Sequence, residues 1–167
     1  TDEHKPYEFD ARIYDRRVFY GYGHANPEEE LRYGPNIKDW PEMFAMKDNQ
    51  LLELAAVIHD PVTTTDELIP SGETSSYRSN PLKLSEFALS RRVPEYVGHS
   101  KRIHQDDLDC RAGKCPEPIQ KVLNQVGATT ENTSLGSCVF ANRPGDGSAR
   151  EQAASCQKVL GGDANIC

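Results

Sequence analysis

The sequence predicts an α/β protein, because strands and helices alternate through its second half. Ser134–Ala141 predicts a buried strand. A glycine-rich turn follows it, and Ser148–Leu160 then repeats apolar residues at helical spacing as far as Gly161-Gly162. Strand-like sequence begins again at Ala164. This order is the pattern of an α/β domain, and 167 residues suffice for one domain with a genuine core.

The first forty residues differ from the rest of the chain. They are rich in Asp, Glu, Arg and Tyr, and their apolar positions follow neither helical nor strand spacing for long. A short possible strand at Ile13–Tyr20 is the exception. We therefore expect a linker or N-terminal arm over residues 1–40 and a domain over residues 41–167. Because the chain stops soon after Ala164, that domain is expected to be truncated at its C-terminal end.

The middle of the chain is predicted in less detail. Leu51–His59 is nearly all apolar, and a buried strand and a short helix both fit it. The β-branched residues 62–65 favour strand or loop, and the Ser, Gly and Pro of residues 70–81 indicate a loop.

Two helices and a long loop are expected between that region and the buried strand. Pro81 suits the first turn of a helix over Leu82–Arg91. The polar, charged residues of His99–Pro118 predict a loop, and Pro118–Val126 predicts a helix that ends at Gly127.

Charge and hydropathy exclude some classes of partner. The chain carries 19 basic and 26 acidic residues, a net charge of -7. Binding to nucleic-acid phosphates needs clustered Lys and Arg, so we expect no nucleic-acid partner. No apolar run approaches the roughly 18 residues of a membrane span, and no secretory leader pattern is present. A cytoplasmic protein is expected.

The five cysteines cannot all pair with one another, because their number is odd. Cys138 and Cys156 fall in a predicted strand and helix, where core thiols are expected. Cys110 and Cys115 lie in the predicted loop, and either a disulfide or half of a metal site would fit them. This number and placement of cysteines agree best with a reducing compartment.

The glycine-rich turn before the last helix is the first candidate site. It consists of Pro144-Gly145-Asp146-Gly147, and Ser148, Ala149 and Arg150 then open the helix. N–H groups in the first turn of a helix lack intrahelical partners and attract anions. Ser148 could cap the helix by itself, but beside Arg150 it predicts a site for a carboxylate or a phosphate.

A second cluster is Thr64-Thr65-Asp66, with Arg78 twelve residues beyond the aspartate. Local sequence would make Asp66 a turn former and Arg78 a surface residue.

Together these blocks resemble the C-terminal swivel domain of the aconitase superfamily. Members of that family carry Thr-Thr-Asp-His, an arginine twelve residues after the aspartate, and Gly-Glu-Gly-Ser-Ser-Arg-Glu. Here the matching residues are Thr64-Thr65-Asp66, Arg78 and Gly145–Glu151, followed by Ala153-Ala154 and a Gly161-Gly162 turn. The resemblance covers about residues 50 to 167.

The resemblance implies a three-layer swivelling β/β/α domain and an aconitate hydratase-like hydro-lyase. Such an enzyme reversibly dehydrates a hydroxy di- or tricarboxylic acid of the citrate or isocitrate type. Ser148 would be the catalytic base and Asp66 would support the site. The residues expected to bind the substrate are Arg78, Gly147, Ala149 and Arg150.

The resemblance also implies a [4Fe-4S] cluster, which the family holds with three cysteines in its other domains. None of the five cysteines here matches those ligands, so we expect no metal to be bound by this chain. The chain is expected to be inactive alone and to work with the cluster-bearing domains of the same protein.

Three departures from the family pattern leave the substrate open. The family's His after the aspartate is Glu67, its second Ser is Ala149, and its His after Arg-Glu is Gln152. Two alternatives remain: a domain like the small subunit of an isopropylmalate isomerase, and a non-catalytic domain that retains the fold. The long lead-in before the first strand counts against the small subunit.

Overall fold

The computed structural model describes residues 6–12, 23–30 and 32–167, which belong to two units, Thr1–Arg32 and Tyr33–Cys167. Residues 33–40, which the sequence assigns to the arm, therefore belong to the second unit. The possible strand at Ile13–Tyr20 lies outside the described residues.

The described residues of the first unit are all exposed. Arg12 forms an ion pair with Asp10 at 2.7 Å, and the Asn26 side chain donates to Glu29 at 3.0 Å. These are contacts between near neighbours in the sequence, so they hold local turns.

The second unit contains two parallel sheets, and the predicted α/β class is confirmed. Its strands are β1 (Asn49–Ile58), β2 (Thr63–Thr64), β3 (Thr133–Ala141), β4 (Pro144–Asp146) and β5 (Gly162–Ile166). The larger sheet has the order β1-β3-β5, and β2 pairs with β4 in the smaller one. The apolar run before His59 is therefore a strand. The buried β3 agrees with its prediction.

Five helices connect these strands in the described part of the second unit. They are α1 (Thr65–Leu68), α2 (Pro81–Ser85), α3 (Tyr96–Arg111), α4 (Glu117–Val126) and α5 (Arg150–Val159), with a 3₁₀ helix at Ser75–Tyr77. The predicted helix before Gly127 is confirmed as α4, and Gly127 ends it with a left-handed φ of 70°. The helix expected from Ser148 begins two residues later, at Arg150.

The predicted loop His99–Pro118 is wrong, because most of it is the long helix α3. Its buried residues are Tyr96, Ser100, Ile103, Asp107 and Cys110. They recur every three or four residues and so form one helical face. Since two of the five are polar, the apolar periodicity of this face is broken.

The helix predicted over Leu82–Arg91 is shorter than expected. Regular helix ends at Ser85, and the chain continues through turns in which Leu89 adopts a φ of 53°. Leu89 is fully buried, and its N–H donates to the carbonyl of Leu68 at 3.0 Å. Burial and this bond offset the cost of a left-handed conformation for a residue with a side chain.

The core lies between the larger sheet and the helices. Helix α3 packs on β1 and β3, and α2 packs on α5. Tyr96, Leu89 and Ile103 are among the largest fully buried or nearly fully buried side chains. Burial of apolar surface throughout this core supplies most of the driving force for folding.

The cysteines fall into three environments. Cys138 and Cys156 are buried thiols, as predicted, and burial raises the pKa of Cys156 to about 12. Cys167 is exposed. Cys110 and Cys115 form a disulfide, one of the two alternatives left open. No helix among the described residues has the length and apolar character to span a membrane.

Candidate functional site

The candidate site lies where β1 and β3 end. Asn142, directly after β3, donates from its side chain to the carbonyl of His59 at 2.8 Å and to that of Asp60 at 3.2 Å. The N–H of Thr63 donates to the carbonyl of Arg143 at 3.0 Å and begins the β2–β4 pairing. Ligands of open α/β sheets bind outside the carboxyl ends of the strands, and both sequence clusters lie at this edge.

The two clusters contact each other directly. Thr64 pairs with Asp146 in the small sheet, and a Cβ built on Gly147 would overlap the hydroxyl of Thr65. Between them lies a hollow of about 370 Å³, called here the serine hollow. Its lining residues are Thr64, Thr65, Asp66, Ile69, Ser71, Asp146, Gly147, Ser148 and Ala149.

Ser148 does not cap the helix that follows it. The N-cap of α5 is Ala149, and no side chain caps that end of the helix. Ser148 is exposed, and its hydroxyl forms no hydrogen bond with any residue the structure describes. The hydroxyl is therefore free for a ligand in the serine hollow, beside helix N–H groups that carry a partial positive charge.

Asp66 is held by its neighbours rather than left open. Its Oδ1 accepts from the N–H and the hydroxyl of Ser71, at 3.0 and 2.9 Å, and its Oδ2 accepts from Arg91 at 3.1 Å. The hydrogen bonds from Ser71 are the main reason why the pKa of Asp66 lies below its ordinary value. Asp66 is consequently an ionised carboxylate of fixed orientation on the wall of the hollow.

Glu67, which replaces the family's histidine, has a structural role. Its Oε2 accepts from the N–H of Thr64 at 2.7 Å, and the Thr64 hydroxyl accepts from the N–H of Glu67 at 3.2 Å. This reciprocal pair is a capping box, which fixes the start of a helix. The other carboxylate oxygen contacts Arg92 at 2.5 Å. These contacts orient the segment that carries Asp66.

Glu67 should make stability pH-dependent on the acid side. Hydrogen bonding from Thr64 lowers the pKa of Glu67 below its ordinary value. A lowered pKa stabilises the fold above the unfolded-state pKa, and this contribution is lost as the pH falls through the folded-state pKa. We expect Glu67→Gln to lower the free energy of unfolding by about 0.5–1 kcal/mol near neutral pH. The loss should become progressively smaller as the pH falls below the ordinary pKa of a glutamate side chain.

Urea unfolding of both proteins between neutral pH and about pH 3 measures this difference. Glu42→Gln is a matched control, because Glu42 is exposed and its side chain has no hydrogen bond or ion pair with a described residue. A difference that stays constant across that pH range would contradict the role given to Glu67.

Gly147 cannot be replaced without strain. Its φ is 137°, which side chains rarely adopt, and an added Cβ would overlap Thr65. We expect Gly147→Ala to lower the free energy of unfolding by about 2–3 kcal/mol, as measured by urea denaturation. Gly98→Ala is the matched control, since Gly98 lies in α3 with open space around it and should be neutral or stabilising. An unchanged midpoint for Gly147→Ala would show that the turn is not tightly packed.

The two arginines expected at the site lie in different places. The Nε of Arg150 donates to the carbonyl of Gly147 at 2.9 Å, so this side chain lies against the glycine turn. Neither arginine is among the residues that line the serine hollow. Arg78 lines a second hollow of about 100 Å³, called here the tryptophan hollow, to which Trp40 and residues of α5 also contribute.

Sequence reasoning missed the residues that hold this site. Arg91 bridges Asp66 and Glu73, and Trp40 lines the same hollow as Arg78. The Arg91-Arg92 pair was visible in the sequence. The acidic partners of this pair all lie in one preceding segment, and they are Asp60, Asp66, Glu67 and Glu73. This grouping of acidic residues was the sequence signal for the ion pairs.

In the part of the chain that the structure describes, no group of three His, Cys, Asp or Glu residues could hold a metal ion. No family model, no curated protein and no solved structure matches this sequence.

Proposed function

We propose that this chain is the swivelling β/β/α domain of an aconitase-like hydro-lyase. The enzyme would reversibly dehydrate a hydroxy di- or tricarboxylic acid, and this chain would supply the base and part of the carboxylate site. Support comes from the sequence resemblance together with the meeting of its two distant blocks around one hollow.

The observation that carries the proposal is the free hydroxyl of Ser148. In a purely structural turn, a serine at this place would be expected to cap the helix, but the cap is Ala149. Ser148 instead faces solvent at the lip of the serine hollow. A hydroxyl left without a partner beside a positive helix end suits a proton acceptor better than a packing residue.

Deprotonation beside a carboxylate builds negative charge in the transition state. The N–H groups at the start of α5 and the guanidinium of Arg150 would stabilise that charge, and a serine alkoxide as well. The ion pair between Arg91 and Asp66 reduces the negative potential on the opposite wall. Closure of a partner domain would exclude water and strengthen these interactions.

In this proposal the [4Fe-4S] cluster is bound by other domains and supplies Lewis-acid assistance to the departing hydroxyl. The described residues of this chain do not fit a cluster, because Cys110 is bonded to Cys115 and the thiols of Cys138 and Cys156 are buried. The role of this chain is therefore limited to binding, orientation and proton transfer.

The proposal is tested by assaying the complete enzyme with a panel of hydroxy acids. Dehydration is followed by the absorbance of the unsaturated product, using malate, citrate, isocitrate and alkyl-substituted malates. We expect turnover of at least one of them with the cluster loaded. Absence of dehydration across the panel would overturn the proposal.

A further inference from the structure

Arg91 connects two carboxylates of the segment that forms one wall of the serine hollow. Its Nη1 donates to Asp66 Oδ2 at 3.1 Å, and its Nη2 donates to Glu73 Oε1 at 2.9 Å. All three side chains are about half exposed. A planar guanidinium can hold two carboxylates at a fixed distance and angle, which a single ammonium group cannot do.

The backbone holds Arg91 within reach of that wall. Leu89, two residues earlier, is fully buried, and its N–H donates to the carbonyl of Leu68, the last residue of α1. The N–H groups of Arg92 and Val93 both donate to the carbonyl of Leu89, at 2.9 and 2.8 Å, and close the turn that carries Arg91. The core of the domain therefore sets the position of Arg91, and the ion pairs are not its only anchor.

Asp66 carries the effect of this bridge into the serine hollow. It lines the hollow, whereas Arg91 and Glu73 are not among the lining residues. Its Oδ1 accepts two bonds from Ser71, so Arg91 is the partner that fixes the other oxygen. A carboxylate oxygen can accept more than one hydrogen bond. Oδ2 therefore keeps the capacity to accept from a ligand while Arg91 prevents the carboxylate from rotating.

We propose that Arg91 is a positioning residue for the proposed reaction. It acts through Asp66, which it holds in one orientation on the wall of the serine hollow, and Glu73 fixes Arg91 in turn. The inference rests on the proposed function for the reaction alone, because the orientation of Asp66 is a property of the chain itself. The family blocks described above end at Arg78 and resume at Gly145, so they assign no role to Arg91.

The charges around Asp66 give this bridge a measurable signature. The hydrogen bonds from Ser71 lower the pKa of Asp66 most, and the positive charge of Arg91 lowers it further. Without Arg91, Asp66 and Glu73 would remain as two negative charges with no cation between them, which should raise the pKa of Asp66. The charged side chains of the two arginine bridges, apart from Asp66 itself, are Asp60, Glu67, Glu73, Arg91 and Arg92.

The first measurement follows the carboxyl carbon of Asp66 by NMR in the chain itself as the pH is lowered. Arg91→Gln should raise the pKa of Asp66, whereas Arg102→Gln should leave it unchanged. Arg102 is a matched control, because its Nη2 and Nη1 likewise bridge two carboxylates, those of Glu53 and Asp106, and its side chain is 52% exposed. It lies in α3 and is not among the residues that line the serine hollow. An unchanged pKa for Asp66 in Arg91→Gln would overturn the proposal.

The second measurement is the steady-state kinetics of the complete enzyme with a hydroxy acid that it turns over. Arg91→Gln should lower kcat about 10-fold to 100-fold, the usual effect of a misplaced group, and should leave KM nearly unchanged. Arg91→Lys should recover part of the loss, because lysine keeps the charge but cannot bridge both carboxylates. Arg102→Gln should retain full turnover, and circular dichroism checks that each variant is folded. Equal losses from Arg91→Gln and Arg102→Gln would reduce the role of Arg91 to stability and overturn the proposal.

Glu73 tests the order of the bridge. Glu73→Gln should lower kcat less than Arg91→Gln does, because Arg91 then keeps its bond to Asp66 but loses its second anchor. The double variant should be no slower than Arg91→Gln alone, since both residues act through the same carboxylate. Additive losses would contradict a bridge that runs from Glu73 through Arg91 to Asp66.

The two measurements fail separately. If Arg91→Gln leaves the pKa of Asp66 unchanged while the complete enzyme dehydrates a hydroxy acid, the positioning role is wrong and the proposed function stands. If the pKa of Asp66 rises as expected but the complete enzyme dehydrates no hydroxy acid, Arg91 still positions Asp66 and the hydro-lyase proposal fails.

Discussion

Replacing Ser148 with alanine in the complete enzyme is expected to lower kcat about 10²–10⁴-fold, the usual contribution of a positioned base. Ser148 is exposed and forms no bond with a described residue, so its loss should leave the fold intact. KM should change little, because the helix N–H groups and Arg150 remain to bind the substrate. Steady-state kinetics with the preferred hydroxy acid measures both constants.

Two controls accompany this variant. Ser76→Ala removes another exposed hydroxyl that has no described partner and should retain full turnover. Iron content and the visible absorption of the cluster must equal those of the wild type, so that a loss of activity is assigned to the base. Undiminished turnover by Ser148→Ala would remove the serine from the mechanism.

Replacing Asp107 with alanine is expected to lower the free energy of unfolding by about 3–5 kcal/mol. Asp107 is 5% exposed, and its two oxygens accept from the N–H of Leu135 at 2.7 Å and from Arg111 at 2.6 Å. Alanine would leave a buried N–H and a partly buried guanidinium without their partner. Thermal unfolding should shift downward by roughly 10 °C.

The neighbouring Asp106 is the control for this change. It pairs with Arg102 at 3.2 Å on the surface, and such pairs contribute at most about 1 kcal/mol. Asp106→Ala should therefore move the transition by no more than a few degrees. Equal losses from the two variants would contradict a central position for Asp107 between α3 and β3.

Helix α3 marks a limit of prediction from hydrophobic spacing. Of its five buried positions, Ser100 and Asp107 are polar, and their burial depends on partners in β3. Ser100 bonds to Ser137, and Asp107 bonds to the backbone of Leu135. A polar residue can be recognised as a core residue only once its partner strand is in place, which the local sequence does not reveal.

The two parts of the candidate site also differ in how far local sequence predicts them. The glycine turn and Thr64-Thr65-Asp66 could be predicted, because glycines act through their own backbone and capping side chains bond to backbone groups a few residues away. Trp40 could not be placed in the hollow that Arg78 lines, since this depends on an extended segment in which Lys38 bonds to the carbonyl of Ser79. No periodic pattern accompanies such a contact.

The order of the larger sheet has a practical consequence for work with the isolated chain. Within the described residues β1 and β5 are edge strands, and Leu54 and Val57 on β1 are about half exposed. Open edges of this kind recruit strands from other molecules. Purified samples should therefore be kept dilute, and light scattering should accompany every unfolding or titration measurement to detect self-association.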